Sequence, residues 1–247
     1  MRKSGSVRVE NLDLHYDVEG SGPPLLLLHG GFMTAESSFA KLRPALAQRR
    51  TTIAVEQQAH GHTPNIDRAL SYERMVEDTA ALLHSLGHTE VDVFGWSDGG
   101  IVGLGLGLGY PELVRKVAIF GAGFNTDAEG PEFKKRMAAL TPGQLPPHFP
   151  QAYAKVAPNP RGFPNLVEKV KAMYAAFEGW EREELRQFKP PLLVMLGDHD
   201  FVSVDHALEL FRLVPDGRLA VLPGTDHSGP VTRSDWLVSM LLDFFEQ

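Results

Sequence analysis

The chain has 247 residues, of which 43% are hydrophobic and 22% are charged, a composition that suits one large globular domain or two small ones and excludes a wholly disordered chain. Its formal net charge is −7, from 24 basic and 31 acidic side chains without a Lys/Arg block, so nucleic acid and anionic membranes are poor candidates as partners. Cysteine is absent, which excludes disulfides, thiolate catalysis and cysteine-based metal sites.

The first half of the chain alternates short apolar runs with stretches of helical periodicity. Strands are predicted at 6–10 and 13–18, as a hairpin turned near Asn11-Leu12, and then at 24–29, 51–55 and 91–94. Helices are predicted over 35–49, over 72–86 after a start at Ser71, and over 98–109. The longest aliphatic run, 25–28, is far shorter than the ~20 residues of a membrane span, so no span is predicted.

The second half continues this alternation after an interruption. Strands are predicted at 117–120, 191–196 and 218–222, and helices over 204–213 and 233–246. The stretch 124–188 breaks the rhythm, because it carries eight prolines and many aromatic side chains, and it is too apolar for a linker. Strands that alternate with helices predict an α/β fold with a mostly parallel sheet, and 124–188 is interpreted as a helical insertion between two of its strands.

Residues 95–99 read Gly95-Trp96-Ser97-Asp98-Gly99, between a predicted strand and a predicted helix. A G-x-S-x-G sequence in that context is typical of a nucleophile elbow, a sharp turn that exposes the serine hydroxyl. Glycines are needed on either side, since larger side chains would clash in the turn. The motif also occurs by chance, as a plain glycine-rich turn, so partner residues are required.

A serine hydroxyl needs a base to become nucleophilic, and the base needs a third group that orients it. Gly197-Asp198-His199-Asp200 and Gly224-Thr225-Asp226-His227 follow the last two predicted strands. In a parallel sheet, these strand ends lie at the same edge as the elbow, where open α/β sheets bind ligands. The order serine, acid, histidine along the chain is the one that accompanies the elbow.

These motifs, with the sequence LLLLHGG at 25–31, closely resemble the α/β-hydrolase family and its branch of serine esterases, haloperoxidase-like enzymes and C–C hydrolases. The resemblance covers most of the chain and implies a core of residues 1–123 and 189–247 with a helical cap at 124–188. It implies Ser97 as nucleophile, His227 as base and Asp200 as the acid, with Asp198 as the alternative acid. Asp226 is expected to be a surface or loop-capping residue.

The resemblance also implies an oxyanion hole formed by the backbone N–H groups of Asp98 and Gly31, with Phe32 as the alternative to Gly31. It implies that His29 is a buried structural histidine. Phe32, Trp96 and Asp98 are candidate substrate-binding residues. GWSDGG resembles the elbow of hydrolases of α-amino-acid esters, in which a carboxylate at this position pairs with a substrate ammonium; the simpler interpretation is an Asp favoured by the start of a helix.

Three further features of the sequence bear on the predicted chemistry. Where the family commonly has D-x-x-G-x-G-x-S, this chain has Glu56 to Thr63, with Ala59 in place of a glycine, so the loop there is expected to differ. The glycines at 103, 105, 107 and 109 lie within a predicted helix, which favours close packing over a nucleotide-binding loop. His60 and His62 are only two residues apart and lack an evident further ligand set, and His15, His84, His88, His148 and His206 are expected to be surface or structural histidines, so no metal is predicted.

The expected function is hydrolysis of small to medium carboxylic esters by a cytoplasmic serine hydrolase that needs no cofactor. Cytoplasm is expected because the basic N-terminal stretch has no apolar run behind it and therefore is not a secretory signal. Alternatives with the same triad are hydrolysis of C–C bonds, lactones, amides or aminoacyl esters, and cofactor-free perhydrolysis. A serine nucleophile argues against carboxylate-dependent dehalogenases and epoxide hydrolases. A ligand receptor on the same fold is the alternative outside enzymes.

Overall fold

The centre of the fold is a sheet of eight strands, described over residues 2–247 by a computed structural model. The strands are β1 (Lys3–Val9), β2 (Leu12–Gly20), β3 (Pro24–Leu28), β4 (Thr51–Glu56), β5 (Val91–Trp96), β6 (Val114–Phe120), β7 (Leu192–Gly197) and β8 (Gly217–Leu222). Their order across the sheet is β1-β2-β4-β3-β5-β6-β7-β8. Strand β2 is antiparallel to β1 and β4, and every other neighbouring pair is parallel. The predicted fold class is confirmed.

Eleven helices connect and cover these strands within residues 2–247. They are α1 (Ala35–Phe39), α2 (Arg43–Leu46), α3 (Tyr72–Ser85), α4 (Asp98–Gly109), α5 (Pro131–Ala138), α6 (His148–Val156), α7 (Phe163–Ala176), α8 (Arg182–Leu185), α9 (Val204–Leu213), α10 (Gly229–Thr232) and α11 (Ser234–Glu246). The prediction of a single helix over 35–49 is wrong, because two short helices, α1 and α2, occupy that stretch. Pro44 lacks an N–H and its ring would clash with the carbonyl of residue 40, so a new short helix begins instead.

The two faces of the sheet are covered by different sets of helices. Side chains along β3 alternate between them: Leu26 and Leu28 join the core with α3, α4 and α9, whereas Leu25 and Leu27 join the core with α1, α2 and α11. All four leucines are fully buried, as expected for a central strand of a parallel sheet. The continuous apolar run at 25–28 therefore reflects burial on both faces.

The segment 124–188, called here the inserted segment, lies between β6 and β7 and contains α5 to α8. Large side chains of the inserted segment pack against α4, in the space next to its glycines. A Cβ atom on Gly105 would lie 2.6 Å from the Trp180 ring, and one on Gly107 would lie 2.4 Å from the Phe188 ring. Gly103 instead faces the sheet, 3.4 Å from Val93 by the same measure. The glycines of α4 thus serve close packing on two sides, with Gly105 and Gly107 against the inserted segment and Gly103 against the sheet.

Among the helices of residues 2–247, none combines the length and the apolarity that a bilayer span requires.

Candidate active site

The turn between β5 and α4 holds Ser97 in a strained backbone conformation, with φ 57° and ψ −123°. Its N–H donates to the carbonyl of Phe120 at 2.9 Å, which ties the turn to the neighbouring strand. A Cβ on Gly95 would lie 2.2 Å from the carbonyl oxygen of Gly99, and one on Gly99 would lie 2.0 Å from that of Leu28. Both positions therefore require glycine, and the strain is concentrated at the serine.

One of the three acidic side chains near the last two strands meets the imidazole of His227. Asp200 Oδ1 lies 2.9 Å from His227 Nδ1, and the Asp200 side chain is fully buried. Asp198 instead accepts a hydrogen bond from the backbone N–H of Thr225 at 3.1 Å. Asp226 accepts from the N–H and the hydroxyl of Ser228, as a loop-capping residue does. Since a carboxylate only accepts, the Nδ1 of His227 carries a proton and Nε2 is left as the basic atom.

No hydrogen bond joins Ser97 to His227 within residues 2–247, but the residue next to Ser97 contacts the histidine. Trp96, next to the serine, donates its indole N–H to the carbonyl of His227 at 3.0 Å, and the two rings are 6.0 Å apart. Catalytic hydrogen bonds are often loose before substrate binds. The Trp96 side chain is only 5% exposed. These contacts indicate that Trp96 positions the loop that carries His227. The contact between Trp96 and substrate that the sequence suggested stays a prediction.

Two elements next to Ser97, the start of α4 and the loop after β3, have backbone N–H groups that are free of helix or sheet hydrogen bonds. Asp98 is the first residue of α4, so its N–H has no acceptor within the helix. In the loop after β3, Met33 N–H donates to the carbonyl of Gly30 at 3.3 Å, and the N–H groups of Gly31 and Phe32 make no hydrogen bond within residues 2–247. A Cβ on Gly30 would lie 3.3 Å from the Cβ of Ser97. The loop thus passes close to the serine, and Phe32 within it adopts a left-handed conformation with φ 64°. An oxyanion hole at this loop stays a prediction.

His29 is buried beneath this loop, in the manner of a structural histidine. Its Nδ1 lies 2.9 Å from the carbonyl of Gly30 and its Nε2 accepts from the backbone N–H of Gln57 at 3.1 Å. Both ring nitrogens are therefore occupied, and burial lowers the pKa of the imidazole. A histidine in this state joins two loops and is a poor base.

The Asp98 side chain does not cap the helix; it is turned toward Gly31 in the loop after β3. Its Oδ1 accepts from the hydroxyl of Tyr72 at 3.0 Å, and its Oδ2 is buried without a partner within residues 2–247. A Cβ on Gly31 would lie 2.5 Å from Oδ2. Burial raises the pKa of Asp98 to about 6, against the opposing effects of the Tyr72 hydrogen bond and the charge of His227. The interpretation of Asp98 as a simple helix-start residue is therefore not supported by its contacts.

Gly121, directly after β6, is a site residue that the sequence did not reveal. Its φ is +59°, and an added Cβ would lie 2.7 Å from His227 Nδ1 and 2.8 Å from Asp200 Oδ2. The absence of a side chain here gives the imidazole and the carboxylate room to meet. A glycine at the end of a central strand was the available signal, but its neighbours come from distant parts of the chain.

A second buried carboxylate, also missed from the sequence, belongs to the inserted segment. Glu129 is 9% exposed, and the hydroxyl of Tyr174 donates to its Oε2 at 2.9 Å. Burial raises the pKa of Glu129 to about 7, and the negative charge of Asp98 raises it further while Tyr174 and Lys134 lower it. Within residues 2–247, neither Glu129 nor Asp98 forms an ion pair. Both carboxyl groups are therefore largely buried without a cationic side chain at ion-pair distance among the described residues.

One group of metal-ligating side chains is brought together that the sequence did not suggest. The donor atoms of His15, Glu56 and His62 lie within 4.8 Å of one another. Glu56 is already engaged, because its Oε1 accepts from the N–H of Ala35 at 3.0 Å and its Oε2 lies 2.8 Å from His62 Nδ1. These hydrogen bonds hold two loops together, which accounts for the cluster without an ion. In the same loop Ala59 adopts φ 67°, the conformation that glycine takes readily.

Comparisons with known proteins find similarity to hydrolases, both in sequence and in structure. Residues 25–240 match the model of the alpha/beta hydrolase family. The serine hydrolase BPHL of Mus musculus is 26% identical over 253 residues, which cover 98% of this chain and 86% of that protein. The 2-(acetamidomethylene)succinate hydrolase of Mesorhizobium japonicum is 27% identical, over 91% of this chain and 88% of its own. The crystal structure of CarC, a serine hydrolase involved in carbazole degradation, has a TM-score of 0.81 at 20% identity and covers 100% of this chain and 99% of its own.

Proposed function

Because the chain belongs to the alpha/beta hydrolase family, we propose that it is a serine hydrolase that cleaves small to medium carboxylic esters through an acyl-enzyme. The observation that carries the proposal is the hydrogen-bonded pair of Asp200 and His227 beside a serine in a strained turn. A serine in such a turn has little structural use, since the strain costs about 1–3 kcal/mol.

In the proposed mechanism, His227 Nε2 takes the proton of the Ser97 hydroxyl while Ser97 Oγ attacks the acyl carbon. Asp200, hydrogen-bonded to Nδ1, holds the ring in the required tautomer and stabilises the imidazolium. The N–H groups of Asp98 and Gly31 stabilise the oxyanion. His227 then protonates the leaving alkoxide, and water activated by the same histidine releases the acid from Ser97.

The inserted segment is the proposed cap that sets substrate size. Val170 of α7 lies 3.6 Å from the position of a Cβ on Gly31, and the rings of Phe177 and Tyr72 are 4.6 Å apart in an edge-to-face contact. These contacts support an apolar roof next to Gly31 and the proposed oxyanion hole, and such a roof favours small or medium acyl and aryl groups. Phe32, which follows Gly31 in the loop after β3, is the candidate for a direct substrate contact.

The same triad serves hydrolysis of lactones, amides, C–C bonds and aminoacyl esters as well as perhydrolysis, and the relatives' names differ in substrate. Esters are proposed because an alkoxide is a better leaving group than an amide nitrogen or a carbanion, so ester cleavage needs the least help from His227 as general acid. A ligand receptor on this fold is the alternative outside enzymes, and it predicts tight binding without turnover.

The experiment combines active-site labelling with a substrate panel. A fluorophosphonate probe is expected to label Ser97, and p-nitrophenyl esters of increasing acyl length are expected to be hydrolysed with a preference for the shorter members. Ser97→Ala should fold and lose activity by several orders of magnitude, with a residual ~10³–10⁴-fold catalysis over water from the oxyanion hole. Labelling at another residue, or ester turnover that survives Ser97→Ala, contradicts the proposal.

A further inference from the structure

The loop after β7 carries a second contact to the catalytic pair besides the acid itself. Phe201, the residue after Asp200, lies against the imidazole of His227, with 4.0 Å between the ring centroids and 34° between the ring planes. The hydrogen bond from Asp200 restrains one atom of the imidazole, Nδ1, at 2.9 Å. A single hydrogen bond does not fix the tilt of a ring plane. The phenyl ring of Phe201 therefore supplies the second constraint on the orientation of His227.

A ring of the inserted segment packs on Phe201 in turn. Phe133 of α5 is stacked on it, with 4.2 Å between the ring centroids and 18° between the planes. Because two rings that each lie about 4 Å from Phe201 cannot share one face of it, they occupy opposite faces. His227, Phe201 and Phe133, called here the aromatic stack, thus join the imidazole to α5, and Phe133 limits the positions open to Phe201.

The backbone of the same loop is joined to the inserted segment as well. The N–H of Ser203 donates to the carbonyl of Ala128 at 2.8 Å, and Glu129 forms an antiparallel bridge with Val202. The N–H of Val202 also donates to Oδ1 of Asp200 at 3.1 Å, the same oxygen that faces the histidine. The stretch that leads into α5 therefore lies directly against the loop that carries the acid.

The attachment of α5 to the rest of the fold depends on few buried contacts. None of the side chains of residues 131–138 is buried, and Phe133 is half-buried. Tyr174 of α7 supports it from the inserted segment, with its ring 6.1 Å from that of Phe133 and its hydroxyl bonded to Glu129 at 2.9 Å. A displacement of α5 would therefore take Phe133 away from Phe201 and leave one face of Phe201 without support.

We propose that Phe201 is a positioning residue for His227, and that α5 controls this role by holding Phe201 in place through Phe133. The inference rests on the proposed function, since it takes His227 as the base. With α5 in place, the aromatic stack keeps the imidazole in one orientation. When α5 moves away, Phe201 is free to turn and the imidazole loses that orientation. The inserted segment thus acts on the base in addition to its proposed role as a roof.

Steady-state kinetics on one p-nitrophenyl ester separates positioning from substrate binding. Phe201→Leu should lower kcat by about 10-fold or more and leave KM within about 2-fold, since a small displacement of a catalytic group has an effect of this size. Phe201→Tyr keeps the ring and should restore most of kcat. Phe133→Leu should lower kcat by about 3–10-fold. An increase in KM at unchanged kcat would make Phe201 a substrate contact and overturn the proposal.

Phe163→Leu is the matched control within the inserted segment. Phe163 begins α7, about 16 Å along the helix axis from Tyr174, and its ring packs on Tyr153. It is 4% exposed, so its truncation tests the effect of lost packing in the inserted segment more severely than that of the half-buried Phe133. Its kcat should stay within about 2-fold of wild type. A loss equal to that of Phe133→Leu would indicate general loosening of the segment and overturn the proposal.

The NMR signals of the His227 ring protons, assigned by their loss in His227→Gln, test the orientation without any ester. Phe201→Leu should move them, because the ring current of Phe201 acts on them from 4.0 Å. Phe133→Leu should also move or broaden them, whereas Phe163→Leu should leave them unchanged. Unchanged signals in Phe133→Leu would overturn the proposal. If no ester is hydrolysed, the proposed function fails, and these signals still decide whether α5 orients the imidazole.

Discussion

Oδ1 of Asp200 lies 2.9 Å from Nδ1 of His227, whereas Asp198, two residues earlier, is turned away and braces the backbone of Thr225 at 3.1 Å. Asp200→Asn should therefore lower kcat by about 10³–10⁴-fold, since an amide does not hold the required tautomer of the histidine. Asp198→Asn, the matched control, should keep kcat within a few-fold. Steady-state kinetics on one p-nitrophenyl ester measures both. A large loss of kcat in Asp198→Asn together with near wild-type kcat in Asp200→Asn would reverse the assignment of the acid.

Gly121 keeps the imidazole and the carboxylate free of steric hindrance, and its φ of +59° disfavours any side chain. We expect Gly121→Ala to lower kcat by about 10²-fold, because a displacement of about 1 Å in a catalytic group has that effect. Gly143→Ala is the control, since nothing lies within 4 Å of the added methyl group there. Steady-state kinetics measures kcat of both variants, and circular dichroism checks that both are folded. Full activity in Gly121→Ala would show that the Asp200–His227 contact tolerates displacement.

Burial raises the pKa of Glu129 from 4.5 to about 7. The folded protein then binds the proton more tightly than the unfolded chain, so stability from this group is greatest below pH 4.5 and is lost as the pH rises toward 7. Glu129→Gln removes the ionisation and should be more stable than wild type at pH 8, with the difference vanishing near pH 4.5. Urea midpoints at several pH values measure this. A difference in urea midpoint between Glu129→Gln and wild type that stays the same at every pH would contradict the raised pKa of Glu129.

The contacts of Asp98 motivate a prediction about substrate charge. If its Oδ2 pairs with a substrate ammonium, the charge-assisted contact is worth about 1.5–3 kcal/mol. Asp98→Asn should then lower kcat/KM for an aminoacyl ester by about 10–100-fold and spare a neutral ester of similar size, because the oxyanion N–H is backbone and remains. An equal decrease for both esters would instead assign the side chain to bracing the elbow through Tyr72.

The parts of the site that lie within a few residues of a motif were accessible from the sequence. The nucleophile elbow follows from Gly95, Ser97 and Gly99, because the constraint acts between chain neighbours and the strand and helix on either side have clear patterns. The parallel sheet follows from alternating strands and helices. The helix expected over 35–49 was wrong because apolar periodicity was given more weight than Pro44.

Other parts depend on residues that are distant along the chain. Gly121 is informative only beside Asp200 and His227, and Glu129 only once the inserted segment has buried it next to Tyr174. Gln57 and His60 stand where the family motif D-x-x-G-x-G-x-S is expected, but that pattern does not indicate that Gln57 contacts Thr79 or that His60 packs against His29. Contacts of this kind have no local pattern, so sequence reasoning from one chain does not find them.

The attachment of Trp180 to α4 also has a dynamic consequence. Its indole N–H donates to the carbonyl of Ile101 at 3.0 Å, and α7 buries five side chains, whereas α5 buries none and α6 buries only Tyr153. Local unfolding should therefore begin at α5 and α6, with α7 following only at higher free energy. Amide hydrogens of α5 should exchange fastest and those of α7 slowest within the inserted segment. On the proposal that the inserted segment caps the site, local opening at α5 is the expected route for substrate and product, and the rate of that opening would then limit turnover.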